Sequence, residues 1–142
     1  MAGEVQGARR FLIAKLRARA QLNALVTGFH NDVGPPSAAH PFVVVAHHAG
    51  RDVNAIGAIR VMTTLLFHIK VVCKGWDLAP AEQIEREIDA ALMGQSGQVT
   101  DPPVFVMGCY RETPVRSVEL APEGQRFDHV GGLYRLIVYS TA

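Results

Sequence analysis

The sequence is poor in cysteine, in tryptophan and in net charge of either sign. Its 142 residues include two cysteines and one tryptophan, and 14 basic against 13 acidic side chains leave a formal charge of +1. Cys73 and Cys109 lie in apolar, strand-like patterns without metal-ligand spacing, which predicts buried, reduced thiols made in a cytoplasm. The balanced charge favours neither nucleic acid nor an anionic membrane as a bulk partner.

Long hydrophobic runs are also missing. The apolar stretch 11–14 is interrupted by Lys15 and Arg17 and precedes no cleavage site, so we expect no secretory signal. The uncharged stretch 33–50 contains three prolines and three histidines, which a lipid-exposed helix would not tolerate. We therefore expect no membrane partner.

Catalytic and metal-binding motifs are missing as well. No serine lies in a G-x-S-x-G elbow, and Gly94–Gly97 lacks the lysine of a phosphate-binding loop. His47 and His48 are adjacent, so on a strand they point to opposite faces and cannot share one ion. We expect no enzyme activity, no cofactor and no metal.

The most informative segment that is present runs from Arg60 to Gly94. Apolar residues dominate one face of an alternating strand: Val61, Thr63, Leu65, Phe67, Ile69, Val71 and Cys73. The other face mixes charged and apolar residues: Arg60, Met62, Thr64, Leu66, His68, Lys70, Val72 and Lys74. Fourteen strand residues span about 48 Å, whereas the whole globule should measure under about 40 Å. The pattern therefore predicts a hairpin arm that pairs with another subunit.

The remaining pattern predicts one domain over 1–142 with an α+β fold. Helical periodicity covers 4–26 and 77–94, the second with Asp77 as cap and Gly94 as terminator. Strands are expected at 29–33, 42–46, 104–112 and 126–139, with a bulge or bend at Gly131–Gly132, and loops at about 49–59 and 95–103. We expect a largely antiparallel sheet of four to five strands, with two main helices packed on one side and a long β-hairpin arm.

Two features leave alternatives open. Trp76, at the strand-to-helix corner, is interpreted as a core residue, with an anchor in a subunit interface as the alternative. Five basic residues crowd the first helix, which would suit a small nucleic-acid-binding protein, although interleaved aromatic residues are missing.

Several stretches together resemble one known family. They are Leu22-x-x-Leu25-Val26, the run Pro41–Val45, the strand leading to Gly75-Trp76, the helix end Ala90–Gly94, and the closing Arg111, Phe127–His129 and Tyr134–Tyr139. In this order they are similar to the tail terminator, or tail-completion, family of long-tailed bacteriophages. The resemblance covers nearly the whole chain, although each motif is loose.

The resemblance implies a non-enzymatic structural protein of the virion, assembled in the host cytoplasm. Such proteins form a hexameric ring at the head-proximal end of the tail tube, end tube polymerisation and join the tail to the head connector. Implied partners are further copies of the chain, the tail tube protein and the connector or stopper protein, with genome DNA passing through the lumen unspecifically. The alternatives are a head-side connector or stopper protein of the same neck, or the basic-helix nucleic-acid binder.

We place the assembly contacts on the second face of strand 60–74, on the loop 50–59 and on the charged faces of the two helices. The residues proposed for this interface are Arg10, Arg17, Arg51, Asp52, Arg60, Met62, Leu66, His68, Lys70, Glu82, Glu85 and Asp89.

Overall fold

The computed structural model describes residues 3–57 and 60–141, in which a six-stranded sheet carries three helices. The helices are α1 (Glu4–Arg17), α2 (Ala20–Asn23) and α3 (Ala79–Leu92). The strands are β1 (Phe29–Asn31), β2 (Phe42–Asn54), β3 (Arg60–Lys74), β4 (Gly97–Thr100), β5 (Pro103–Leu120) and β6 (Arg126–Ser140). The expected α+β class is confirmed, with more strands than the four to five predicted.

The strand order in the sheet is β1-β2-β3-β6-β5-β4. The short strand β1 pairs in parallel with β2, and every other neighbouring pair is antiparallel. The additional strand is β4, which lies inside the expected loop 95–103. The chain leaves the sheet after β3, crosses it as α3, and returns through β4 and β5 to place β6 beside β3.

Helices α1 and α3 cover one face of the sheet, which we call the inner face. The alternation predicted for β3 holds there, because Leu65, Phe67, Ile69 and Val71 are all buried. Val61 departs from it and is 48% exposed, since it lies beyond the last β3–β6 pair at Thr63. The hydrophobic core is thus built from alternate strand residues, those that point to the inner face.

The opposite face, which we call the outer face, carries no helix in the described part of the chain. Its residues on β3 and β6 are mostly half-buried, and they include Met62, Leu66, His68, Lys70, Leu133, Arg135, Ile137 and Tyr139. At one end the segment 32–40 crosses this face and covers a small buried cluster of Phe42, Val44 and Val72. The rest of the outer face is open.

Helix α3 forms where its sequence pattern places it. The Asp77 carboxylate accepts a hydrogen bond from the Ala79 amide at 3.0 Å, and Pro80 occupies the first turn. The expected core residues Ala81, Ile84, Ile88, Ala91 and Leu92 are all buried. No helix in the described residues is both long and apolar enough to cross a bilayer.

The first helix is shorter than its periodicity predicts. It ends at Arg17, and the extended backbone of Arg19 separates it from the single turn of α2. The side-chain amide of Asn23 donates to the carbonyls of Arg17 and Arg19 at 2.9 and 2.8 Å, which satisfies groups left free at the helix end. The break turns Leu22 into the core, where it is fully buried.

The prediction of a long loop over 49–59 is wrong for its first half, because β2 continues to Asn54. A bulge at His48 shifts the register, and most residues from His47 to Asn54 are exposed, so this stretch shows neither alternation nor an apolar run. Residues 58–59 lie outside the described part. Beyond Thr63 the hairpin continues only through the pairs Val53–Met62 and Asn54–Arg60, so the expected arm is short.

The glycine pair does not produce the expected bulge in β6. The register between β3 and β6 is continuous, and the bulges lie instead at Met107 and Glu112 of β5. At Gly131 an added Cβ would lie 2.0 Å from the carbonyl oxygen of Ile69. Glycine is required there by the close approach of two backbones rather than by a bend.

Candidate assembly surface

The structure brings four of the proposed interface residues together. Met62, Leu66, His68 and Lys70 follow one another at every second or fourth position on the outer face of β3. The side chain of Arg60 lies outside the described residues. Across the sheet this row continues onto β6 and β5, where the rings of Phe105 and Tyr139 lie 5.5 Å apart.

Arg51 and Asp52 lie on opposite faces of the hairpin. Arg51 stands opposite Thr64 and therefore shares the outer face with the row on β3. Asp52 stands opposite Thr63 on the inner side, and its carboxylate accepts a hydrogen bond from the Thr63 hydroxyl at 2.9 Å. The structure thus separates two residues that the sequence grouped in one loop.

The arginines of α1 lie on the helical side of the sheet, away from the outer face. Arg9 pairs with Asp32 at 2.8 Å, and the guanidinium of Arg10 bonds the backbone carbonyl of Asp101 and lies 3.5 Å from its carboxylate. Arg17 is exposed. Part of the basic charge that suggested nucleic acid is therefore matched by acidic groups of the same chain.

Three acidic residues of α3 pair with the neighbouring strands, and of these Glu82 is exposed while Glu85 and Asp89 are half-buried. Glu82 pairs with Arg116 at 3.0 Å and Glu85 with Arg111 at 2.7 Å, both on β5. Asp89 accepts a hydrogen bond from the buried Tyr134 hydroxyl at 2.9 Å. Burial, followed by the nearby Asp89 carboxylate, raises the pKa of Tyr134. These carboxylates join the helix to the sheet.

Both lateral edges of the sheet are open over much of their length, which the sequence did not reveal. On β2, the short β1 pairs only with Val43–Val45, so the edge from Ala46 to Asn54 has no neighbour within the described chain. On β5, β4 pairs only with Pro103–Val106, and the turn after α3 bonds the Cys109 carbonyl and the Arg111 amide, which leaves the edge from Glu112 to Leu120 unpaired in the described chain. An unpaired edge presents free backbone donors and acceptors.

The open edge of β5 was missed because the predicted strand, 104–112, stops before Pro114. The strand instead continues to Leu120, and the proline is tolerated because it occupies an edge. The β-branched residues Thr113, Val115 and Val118 were the available signal, although they do not alternate regularly with polar residues. Val118 and Leu120 are 50% and 65% exposed.

Trp76 is exposed, so its interpretation as a core residue is wrong. Gly75 adopts a φ of 120°, which favours glycine, and turns the chain out of β3. Trp76 is 69% exposed, and the guanidinium of Arg126 lies 5.1 Å from the centre of its ring. A strongly exposed tryptophan beside exposed Leu120 marks this corner as available for contact.

The described residues include all six histidines and both cysteines of the chain. No group of three His, Cys, Asp or Glu among them could hold a metal ion. Both thiols are free and buried, as predicted, and burial raises the pKa of Cys73 to about 11 and that of Cys109 to about 12. A thiol with so high a pKa is a poor nucleophile at neutral pH.

Comparisons with known proteins find one matching family model and a similar solved structure. A family model described as tail completion protein gp17 matches residues 10–138. Among solved structures, the chain is similar to one in the virion of a native gene transfer agent particle, with 18% identity and a TM-score of 0.67. That match covers 99% of this chain and 100% of the other. No curated protein sequence matches.

Proposed function

The chain belongs to the tail completion protein gp17 family, and from this premise we propose that copies of it close into a hexameric ring on the end of a phage tail tube. The ring would stand at the head-proximal end, stop addition of tube subunits and present its other side to the connector or stopper protein. Genome DNA would pass through its lumen without sequence-specific contacts. The chain itself is a structural tail-completion protein.

The proposal of a ring rests on the two open edges of the sheet, those of β2 and β5, which differ from each other. The β2 edge is bulged at His48, whereas the β5 edge is partly covered by the turn after α3 and contains Pro114. Two different edges on one subunit favour a head-to-tail contact, in which β2 of one copy pairs with β5 of the next. A repeated head-to-tail contact makes a ring when its rotation closes.

The outer face supports a further contact. Apolar side chains such as Leu66, Leu133 and Ile137 lie there half-buried without a covering layer in the described chain. If β2 and β5 of neighbouring copies pair, these side chains join into a continuous band around the ring. We propose that Met62, Leu66, His68 and Lys70 belong to this band, while the acidic face of α3 mainly supports the subunit.

The test blocks each edge separately. Backbone N–H groups of Val43 and Val45 point away from β3, since Val43 donates to Gly28 and the carbonyl of Val45 accepts from Asp32. By alternation His47 also points outward. On β5, the Ala121 amide donates to the Gln125 carbonyl of the hairpin, which places Val118 among the outward residues. Proline at either position removes an edge donor and spares the internal ladder.

We expect wild-type protein to give hexamers in native mass spectrometry, and both His47→Pro and Val118→Pro to give monomers. A mixture of the two variants should give heterodimers and nothing larger, because only one intact β2 edge and one intact β5 edge then remain to pair. Thermal unfolding within about 5 °C of wild type shows that each variant is folded. Monomeric wild-type protein, or unchanged hexamers in both variants, would refute the edge-paired ring.

A further inference from the structure

Each of the two open edges of the sheet ends against a stop within the subunit. On β2, the open edge 46–54 begins beyond the Val45 carbonyl, which accepts a hydrogen bond from the Asp32 amide at 2.9 Å. On β5, the open edge 112–120 begins beyond the Arg111 amide, which lies 3.2 Å from the Met93 sulfur. Both edges are nine residues long, so one can lie along the whole of the other.

The backbone groups that point outward belong, on both strands, to residues of the inner face. They are those of His47, Gly50 and Asp52 on β2 and those of Pro114, Arg116 and Val118 on β5. A slip by one residue would therefore mix the two faces. A shift by two residues in one direction drives both edges into their stops, and in the other direction it leaves residues unpaired at both ends.

One register thus satisfies the faces, the outward groups and the stops together. We propose that β2 of one copy pairs with β5 of the next in the register that sets His47 opposite Val118, so that 46–54 lies along 112–120. The pairing presupposes the proposed head-to-tail contact, and it adds the side chains that hold the two copies in place. These side chains form an ion pair within the paired edges and an apolar contact at each end.

The ion pair joins Asp52 to Arg116 of the next copy. His48 is the extra residue of the β2 bulge, so Gly50 stands opposite Arg116, and Asp52 lies diagonal to it on the same face. In the single subunit the side chains of Asp52 and Arg116 are exposed. Gly50 has no side chain that would separate them, so the guanidinium reaches the carboxylate across the contact.

The apolar contacts use exposed side chains at the two stops. Asn54 lies next to Glu112 of the neighbour, and the hairpin tip carries the fully exposed Ile56 about 7 Å further, to the turn after α3. Ile56 therefore packs against Met93, which is 44% exposed. At the other end Leu120 reaches the turn that contains Val33, which is 76% exposed. Exposed apolar residues thus find partners at both ends of the contact.

The register also offsets neighbouring copies along their strands. Within one subunit Gly50 is level with Cys109, through the pairs 50–65, 65–136 and 136–109. Across the contact Gly50 lies opposite Arg116, about 20 Å further along β5 when the bulge at Glu112 is allowed for. Four strands are about 19 Å wide, so the strands of a flat ring incline by about 45° to its axis. Closed β-barrels have strand tilts of about 35–45°, so this register is compatible with closure.

The first test uses the heterodimer of His47→Pro and Val118→Pro, which contains a single β2–β5 contact. Ile56→Asp in the Val118→Pro chain lies at that contact and should weaken the heterodimer about tenfold, as the loss of one buried apolar side chain predicts. The same substitution in the His47→Pro chain lies beside a blocked edge and should change nothing. Arg116→Glu should give the reverse pattern, weakening the heterodimer only from the His47→Pro chain. Titrations followed by native mass spectrometry measure the dissociation constants.

The second test locates the register by disulfide formation between copies. Ala49 and Ser117 become a non-hydrogen-bonded pair with Cα atoms about 4.5 Å apart, which suits a disulfide. Oxidised Ala49→Cys, Ser117→Cys protein should therefore give a ladder of linked copies on non-reducing gels. Ala49→Cys, Thr113→Cys, shifted by four residues on the same face, should not. The native thiols are buried, and each single variant serves as a control.

The outcomes separate the register from the ring itself. A ladder from the shifted pair, hexamers that neither pair links, or equal effects of Ile56→Asp in both chains would overturn the register and leave the ring standing. Strands that run parallel to the ring axis in electron micrographs would overturn it as well. Monomeric wild-type protein would overturn both proposals.

Discussion

On β3, side chains one residue apart meet very different surroundings. Phe67 is fully buried beneath the helices, whereas Leu66 is half-buried on a face that no helix covers in the described chain. The inner face is fixed by packing within one subunit, and the outer face keeps apolar side chains for which the subunit provides no partner. The inner face of β3 therefore stabilises the fold of the subunit, whereas its outer face is available for contact with other molecules.

The largest expected effect on the free energy of unfolding comes from a comparison of Phe67→Ala with Leu66→Ala. Phe67→Ala removes a fully buried ring from the core and should lower the free energy of unfolding by about 3–5 kcal/mol. Leu66→Ala should cost about 1 kcal/mol, because its side chain already contacts solvent, and should weaken ring formation instead. Urea unfolding and native mass spectrometry measure the two effects. Equal losses of stability would remove the distinction between the faces.

The glycine pair of β6 gives a second comparison, since Gly131 belongs to the outer face and Gly132 to the inner face. Gly131→Ala forces a methyl group against the backbone of Ile69 and should destabilise the protein by about 2–3 kcal/mol. Gly132→Ala should cost about 1 kcal/mol, since its nearest neighbour is the movable side chain of Arg111.

A control for the glycine variants lies on the adjacent strand. Gly108 has no atom within 4 Å of an added Cβ, so Gly108→Ala should change the unfolding free energy by no more than about 0.5 kcal/mol. Chemical denaturation of all three variants ranks them. A smaller effect at Gly131 than at Gly132 would contradict the close backbone approach.

The smallest expected effect is the loss of stability in acid that arises from two histidines, His40 and His68. Burial lowers the pKa of His40 and His68 from 6.5, with Lys74 and Lys70 as the next causes. The unfolded chain therefore binds more protons than the folded chain as pH falls below 6.5, so stability should decrease there. The double variant His40→Gln, His68→Gln should flatten this part of the pH–stability curve, measured by urea unfolding at a series of pH values. An unchanged slope in the double variant would argue against a histidine origin.

The sequence predicts most of the inner face and little of what surrounds it. Helix α3 and the buried half of β3 follow from periodicity, because packing against one core imposes a regular pattern. Strand β2 beyond Ala46 and β5 beyond Glu112 were not predicted, since an edge strand exposed on both faces needs neither alternation nor apolar residues. The short strand β1 was expected at 29–33, whereas β4 forms through tertiary pairing that no local propensity encodes.

The residues of the candidate assembly surface were also predicted only in part. The row from Met62 to Lys70 follows from alternation, and the structure places it on one face. The acidic side chains of α3 were expected at an assembly interface, but Glu82 and Glu85 pair with Arg116 and Arg111, from a strand whose length was underestimated. Trp76 was assigned to the core by its residue type, although the turn at Gly75 points it outward.

The exposed corner at Trp76 has a practical consequence. Because the chain contains one tryptophan, all of its indole emission comes from this position, 69% exposed and stacked on Arg126. The protein thus carries an intrinsic optical label at the end of the sheet opposite the β2–β3 hairpin. A partner that covers this corner would change the wavelength and lifetime of that emission, and a partner that docks at the hairpin would leave both as they are.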